Sequence, residues 1–440
     1  MEDDDSTIAS EANNKESMEV EVAPALISVH PAQDFVAVAV GCELRVFNLR
    51  EGCPVTLGAD SSEACHHKES IRAIRYGAKG KLLVSAGDDK VVKIWATDSW
   101  HCLYSVPTEK KVSAVAISDN GQFVCYADKF GVVWVVELDE LNENQTPVQK
   151  KGSPLLAHYC SIITSLEFSP DGQFIVTADR DFKIRVSMFP KKPIDGAHEI
   201  QSYCLGHTEF VSSLAFIYNQ EFPQGYLVSG SGDSTVRLWD FTSGLLLHTC
   251  EVGSEVGEQQ TNGTENNHFA VTDLCATPDG SSIFVAVQGL PGILVLSANL
   301  STKTLSVKKL VSITGEDFIP TSLSTSVTSD FLWMVMGVSN LTTRDSSSLA
   351  RVRVITNLNK SKEEKEEDDK IKILEDKQVP CGEKALEKLQ GSLCIDKDVF
   401  SAASEAVKTS MRNLLIKKQY STEKREFRKR GRNDKKGKKR

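Results

Sequence analysis

The sequence predicts an all-β fold assembled from repeats of one four-stranded unit, and two observations carry that prediction. The first is a polar pattern at fixed spacing. Ser85, Asp89 and Trp95 stand four and then six residues apart, and Ser229, Asp233 and Trp239 repeat those intervals. Upstream of each set, a histidine precedes an aliphatic residue by four positions: His67 before Ile71, and His207 before Val211. A third copy runs His158, Ile162, Thr177, Asp181 and Ser187, with serine where the others carry tryptophan. The second observation is a series of short apolar runs separated by turn signals. Asn120-Gly121, Asp171-Gly172 and Asp279-Gly280 each fall between two such runs, as expected where strands are joined by tight connections.

Taken in chain order, the units fill most of the sequence. Residues 26–49 read as three strands near 25–29, 35–40 and 44–47. The copy ending at Trp95 follows, then 112–138 with Trp134 in the terminal aromatic position. The copy ending at Ser187 and the copy ending at Trp239 come next, and 271–297 and 321–356 complete the set. The terminal positions Phe47, Trp95, Trp134, Ser187, Trp239, Leu296 and Ile355 recur at intervals of about 40–60 residues, the lower end of which is the period of a four-stranded propeller blade. This pattern resembles the WD-repeat family. The resemblance implies that each aspartate sits in the turn between the second and third strands. From there its carboxylate holds the histidine, the histidine reaches the Ser or Thr hydroxyl, and the hydroxyl meets the indole N–H. A buried polar chain of this kind stabilises only when complete, so His67, Ser85, Asp89, Trp95, His207, Ser229, Asp233 and Trp239 are expected to be structural. The expected fold is a seven-bladed WD40 β-propeller over residues 21–357, with a C-terminal helix and a basic tail.

The ends differ in composition. Residues 1–20 are acidic, poor in core-forming side chains and expected to be disordered. Residues 358–396 read as a charged linker. Residues 397–419 place Val399, Phe400, Ala403, Ala406, Val407, Met411, Leu414 and Leu415 at helical spacing, an amphipathic helix. Residues 420–440 are the basic tail. From Lys417 onward the chain carries 13 Lys/Arg against 3 acids, a local charge of +10, whereas the whole chain is at −9. The acidic body argues against unaided nucleic-acid binding, and the tail against uniform charge.

Catalytic chemistry is not legible. Ser229-Gly-Ser-Gly-Asp233 runs into a strand pattern, not the helix N-terminus that a phosphate-cradling loop requires. Reading His207, Asp233 and Ser229 as a hydrolytic triad would spend the serine inside the blade. Eleven cysteines include no CxxC pair and read as buried reduced thiols. Cys65, His66 and His67 lack a second ligand pair for zinc. Apolar stretch 283–298 is interrupted by Gln288, Gly289, Pro291 and Gly292 and reads as two strands, not a membrane span. No membrane partner and no metal are expected, and the acidic N-terminus has the wrong sign for a targeting peptide.

The fourth repeat departs from its neighbours. Phe174-Ile-Val-Thr-Ala-Asp-Arg-Asp-Phe-Lys-Ile-Arg-Val-Ser187, followed by Cys204-Leu-Gly-His-Thr-Glu-Phe-Val-Ser212, resembles the WD-repeat non-catalytic subunit of the eukaryotic tRNA (guanine-N7) methyltransferase. The resemblance implies a one-to-one heterodimer with a catalytic subunit that uses S-adenosylmethionine to methylate a guanine of the tRNA variable loop. No cofactor is then expected in this chain, and tRNA is met through the complex. Arg185 is the residue implied to pair with an acidic side chain of the partner, with Lys183 and Asp181 beside it. Asp181 carries a conflict, since the repeat makes it a turn aspartate while the resemblance puts it at an interface. Tail residues Arg428, Lys429, Arg430, Arg432, Lys435, Lys436, Lys438, Lys439 and Arg440 suit phosphate contacts or a nuclear-localisation cluster, and the nucleus is the expected location. The competing class is a generic WD-repeat adaptor, such as a ubiquitin-ligase substrate receptor or chromatin scaffold. Trp239-Asp240 lacks the following arginine that one such docking element would need.

Overall fold

The computed structural model describes residues 23–58, 66–139, 147–159, 161–253, 269–328, 330–339, 348–358, 371–391 and 400–407. Among them, seven sheets form a ring, each an antiparallel meander outward from an innermost strand, and the second gains a short parallel edge strand, Val148–Gln149. Blade 2 comprises Ile71–Gly77, Leu82–Gly87, Val91–Ala96 and Cys102–Pro107; blade 4 comprises Ile163–Phe168, Phe174–Asp179, Ile184–Met188 and Ile200–Cys204. Blade 5 comprises Val211–Ile217, Tyr226–Ser231, Thr235–Asp240 and Leu245–Glu251. Second strands are apolar on both faces because neighbouring blades cover both; Leu82–Gly87, Phe174–Asp179 and Ser282–Val287 are buried throughout. That explains why these strands read as continuous apolar runs and not as alternations. The turn signals act through local chemistry. Gly121, Gly172 and Gly280 take φ of +73°, +69° and +69°, which glycine adopts without a Cβ penalty. Among the described residues no helix is long and apolar enough to cross a membrane.

Inside blades 2 and 5 a chain of polar groups runs from turn to core. Trp95 Nε1 donates to Ser85 Oγ at 3.0 Å, Ser85 Oγ lies 2.8 Å from His67 Nε2, and His67 Nδ1 lies 2.8 Å from Asp89. In blade 5 the corresponding distances through Trp239, Ser229, His207 and Asp233 are 2.8, 2.7 and 2.9 Å. The indole can only donate, so the serine oxygen accepts from it, while the imidazole bridges the hydroxyl and the carboxylate through its two ring nitrogens. Burial opposes the charged form of Asp233, but hydrogen bonds from His207, Thr235 and Thr208 outweigh it and hold the carboxyl well below its usual range. Burial also lowers the His207 imidazole, against the pull of Asp233. Both native pKa values lie below the unfolded ones, so both groups contribute stability at neutral pH that is lost on acidification. The melting temperature is therefore expected to fall below a pH of about 4, where the lowered carboxylate of Asp233 dominates. Asp233→Asn should melt lower at neutral pH and decline less over that range; an unchanged decline would remove the blade network as its cause. Asp273 works in the opposite direction between about 4 and 6. Burial in the channel wall raises its carboxyl to about 6 despite donation from Leu323 N, Ser213 Oγ and Leu274 N.

The innermost strands line a central channel of about 650 Å³. Arg75 of blade 2 forms a two-pronged ion pair with Glu167 of blade 4 across it, and Asp273 of blade 6 accepts from blades 5 and 7. The first ties blades that are not adjacent, and the second ties a blade to both of its neighbours.

Ring closure corrects the expected linker. Within 358–396, Lys372–Ile373 is the outermost strand of blade 7, pairing with Ser348–Thr356 through Ile355↔Ile373 and Thr356↔Lys372. Gly382–Gln390 is a helix, α1. Its buried face, Ala385, Leu386 and Leu389, packs with Val379 against Ile27, Val38 and Phe47 of blade 1 and Trp333 and Val354 of blade 7. Gln390 accepts from Val352 N at 2.8 Å and Arg351 Nη1 at 3.0 Å, and Arg351 also pairs with Glu316 and Asp376. The chain thus straps its first blade to its last. Charge composition hid this segment, because Glu383, Lys384 and Glu387 occupy only its exposed face. Of the helix expected over 397–419, residues 400–407 are helical, with Ala403 and Val407 buried beside Phe318 and Ile355. The remainder, residues 1–20 and the basic tail lie outside the described residues.

A candidate partner-docking surface on the fourth blade

Blade 4 keeps the register of its neighbours but changes the chemistry. Thr177 pairs with Arg185 and Ile175 with Ser187, as Ser229 pairs with Arg237 and Leu227 with Trp239 in blade 5. The carboxylate on His158 is Asp179, not Asp181: His158 Nδ1 lies 2.8 Å from Asp179 Oδ2, and Nε2 lies 2.7 Å from Thr177 Oγ1. Asp179 also accepts from the backbone N–H of Asp181 and Lys183 at 2.8 and 3.1 Å, which shapes the turn. The blade carboxylate has moved two residues inward, and the conflict over Asp181 disappears because the turn role belongs to its neighbour. Blade 3 makes the same substitution, with Asp128 accepting from Phe130 N, Val132 N and the Trp134 indole; Trp134 pairs with Tyr126 and so takes the register of Arg185, and Val136 holds the terminal position expected for it.

That displacement alters the arginine. In blade 5, Arg237 Nε donates to Thr235 Oγ1 at 3.2 Å and Nη2 lies 3.7 Å from Asp233. The register-equivalent Arg185 turns the other way along its strand. Its Nε donates to Ser187 Oγ at 2.9 Å, and Nη1 donates to Ala157 O of blade 3 at 3.2 Å. Arg185 has no carboxylate within ion-pair distance among the described residues, and Nη2 has no acceptor there. Partial burial lowers its pKa without threatening its charge. Lys183 is exposed beside it and Asp181 is half-buried.

The same blade and its flanking loops carry exposed aromatic and aliphatic side chains that the sequence pattern does not single out. Tyr203 stands directly opposite Arg185 in the outer strand and is 43% exposed. Tyr159, next to His158, is 95% exposed, and Leu205 is 60% exposed. Phe182 sits in the turn at φ +69° with a 39% exposed side chain. Lys90 and Ser234 take that backbone position in blades 2 and 5, and Gly131 in blade 3. The left-handed backbone is thus the rule at this turn position, and blade 4 differs in placing an exposed aromatic side chain there. A signal was present in the sequence: Tyr159 and Phe182 stand at turn positions where polar residues are the rule. Among the described residues no group of three metal-ligating side chains converges, and His67 is engaged in its blade; Cys65 lies outside them.

The family described as the tRNA methyltransferase TRM82 WD40 domain matches residues 142–353, and the WD domain, G-beta repeat, matches residues 61–96. The tRNA (guanine-N(7)-)-methyltransferase non-catalytic subunit wdr4 of Xenopus laevis is 30% identical over 323 residues, covering 72% of this chain and 76% of that protein. The Danio rerio protein of the same description is 34% identical over 241 residues, covering 54% of this chain and 53% of its own length. The Homo sapiens protein is 35% identical over 185 residues, covering 42% and 41%. The chain therefore spans about half the length of several relatives that it matches. Among solved structures, the RRP9 WD40 repeats superpose with a TM-score of 0.55 at 18% identity, covering 72% of this chain and 87% of that one. The Cps50 (Swd1) β-propeller domain superposes at 0.56 and 10% identity, covering 75% and 95%. At those identities the likeness speaks for the propeller fold alone.

Proposed function

Because the chain belongs to the family of tRNA (guanine-N(7)-)-methyltransferase non-catalytic subunits, we propose that it is the non-catalytic member of a one-to-one heterodimer and docks the catalytic subunit on blade 4. The observation that carries the docking site is Arg185: a guanidinium oriented by Ser187 and Ala157, with an amino group left over for an acceptor. Aromatic and arginine side chains are enriched among the residues that dominate protein interfaces; Tyr203 stands opposite this one, and Tyr159 and Phe182 are exposed on the loops beside the blade. The partner's complementary surface carries a carboxylate for Arg185 within an apolar rim. S-adenosylmethionine binds in the catalytic subunit, this chain takes no cofactor, and tRNA is engaged by the complex. The basic tail serves nuclear import, phosphate contact, or both.

The test is a tagged purification from the protein's own cells, assayed for S-adenosylmethionine-dependent guanine-N7 methylation of tRNA. A one-to-one partner with that activity is the expected result. An inactive preparation carrying ubiquitin-ligase or chromatin components would overturn the reading in favour of a generic adaptor.

A further inference from the structure

We infer that Ser187 is a positioning residue for docking: by standing where blades 2 and 5 carry tryptophan, it turns Arg185 away from its own turn and fixes the guanidinium for the partner. The inference rests on the docking site proposed above and deepens it.

Three observations support it. Ser187 is fully buried and occupies the register position of Trp95 and Trp239, opposite Ile175 as they are opposite Leu83 and Leu227. In blade 5 the indole fills that space and Arg237 lies back toward Thr235 and Asp233; a Cβ at Gly206 would meet both Arg237 and Trp239, at 2.6 and 3.4 Å, so guanidinium and indole share one surface. In blade 4 the small side chain leaves room for Arg185 to fold toward position 187, and its hydroxyl supplies the acceptor for Nε. The second acceptor, Ala157 O, lies on blade 3, so the guanidinium is held at two points across a blade boundary. A side chain pre-oriented in this way loses less freedom on binding.

Tryptophan at 187 is also the substitution that the repeat itself offers. Thr177 Oγ1, which lies 2.7 Å from His158 and 3.3 Å from Arg185 O, is in the place where Ser85 and Ser229 accept an indole N–H. Ser187→Trp thus completes the blade network while removing the room that Arg185 occupies. Loss of docking without loss of stability is a result that a merely structural serine would not give.

The experiment measures affinity of the full chain for the catalytic subunit, alongside the melting temperature, for wild type, Arg185→Ala, Ser187→Ala, Ser187→Thr, Ser187→Trp and the double variant Arg185→Ala/Ser187→Ala. Ser187→Ala should weaken binding by about 5-fold, the effect of one lost hydrogen bond, and Ser187→Thr, which keeps the hydroxyl, should restore it. Ser187→Trp should weaken binding at least as much as Arg185→Ala, at an unchanged or higher melting temperature. In the Arg185→Ala background, Ser187→Ala should add nothing, because the serine acts only through the guanidinium. If Arg185→Ala weakens binding but Ser187→Ala does not, or the two effects simply multiply, the positioning role is overturned and the docking site stands. Unchanged binding by Arg185→Ala would overturn the docking site itself. A drop in melting temperature that tracks the loss of binding across the Ser187 series would make the serine structural.

Discussion

Arg185→Glu is expected to abolish stable association with the catalytic subunit while the propeller remains folded. Removing one member of a desolvated, hydrogen-bonded charge pair costs about 2–5 kcal/mol, and reversal adds repulsion against the partner carboxylate. Affinity should fall by roughly 30-fold to more than 1,000-fold at 1.4 kcal/mol per decade. Within the chain, the substitution gives up only the bonds to Ser187 and Ala157, worth about 1 kcal/mol each or less. Arg237→Glu is the matched control. Arg237 holds the same register position in blade 5, but beside Asp233. Reversing it sets like charges together inside a structural network, so it should lower the melting temperature and leave docking intact. Co-purification and thermal melts of the two variants separate the cases. If both variants behave alike, in either assay, blade 4 has no special role.

Ending the chain after residue 370 is expected to destroy cooperative folding. That truncation removes the outermost strand of blade 7 and α1, and bares the apolar seam between the first and last blades, where Leu386 is 3% and Leu389 0% exposed. Burial of each such leucine contributes about 1.5–3 kcal/mol. Removal also strands Arg351, which is 7% exposed, without Asp376 and Gln390. Losing a partner from a buried charge network costs about 3–5 kcal/mol. Together these losses are comparable to the net stability of an ordinary domain, about 5–15 kcal/mol. A chain ending after residue 407 keeps the strap and should melt as the full chain does. Circular dichroism melts of the two truncations decide it: a cooperative transition in the shorter chain would mean that the strap is an accessory to closure.

Much of the ring was legible from sequence because its rules are local. The Ser–Asp–Trp spacing locates strand, turn and strand, and the Asn/Asp-Gly pairs locate the first turns. Two of the features that escaped did so for identifiable reasons. Matching the spacing of the clear repeats assigned the turn role to Asp181, yet Asp179 performs it. One carboxylate can reach the same histidine from the end of the second strand or from the turn, and periodicity alone does not choose between them. The strap escaped because net composition is a poor guide to a helix with one buried face: Ala385, Leu386 and Leu389 suffice to dock α1, and their charged neighbours dominate the count. Arg185 itself came into view through resemblance. Its orientation depends on Ser187, Ala157 and the position of Asp179, and only the fold assembles those three.

The strap also sets an order of events during synthesis. Blade 4 is complete once Cys204 has been made, whereas α1 ends at Gln390. At ~5–20 residues per second, roughly 10–40 s separate those two points on the ribosome. For that interval the nascent protein is an open arc of blades whose first and last edges are not yet joined, with Arg185 already in place. Premature termination after blade 4 but before the strap is encoded would therefore release a protein with its docking face built and its ring unsealed, a candidate for chaperone capture and degradation.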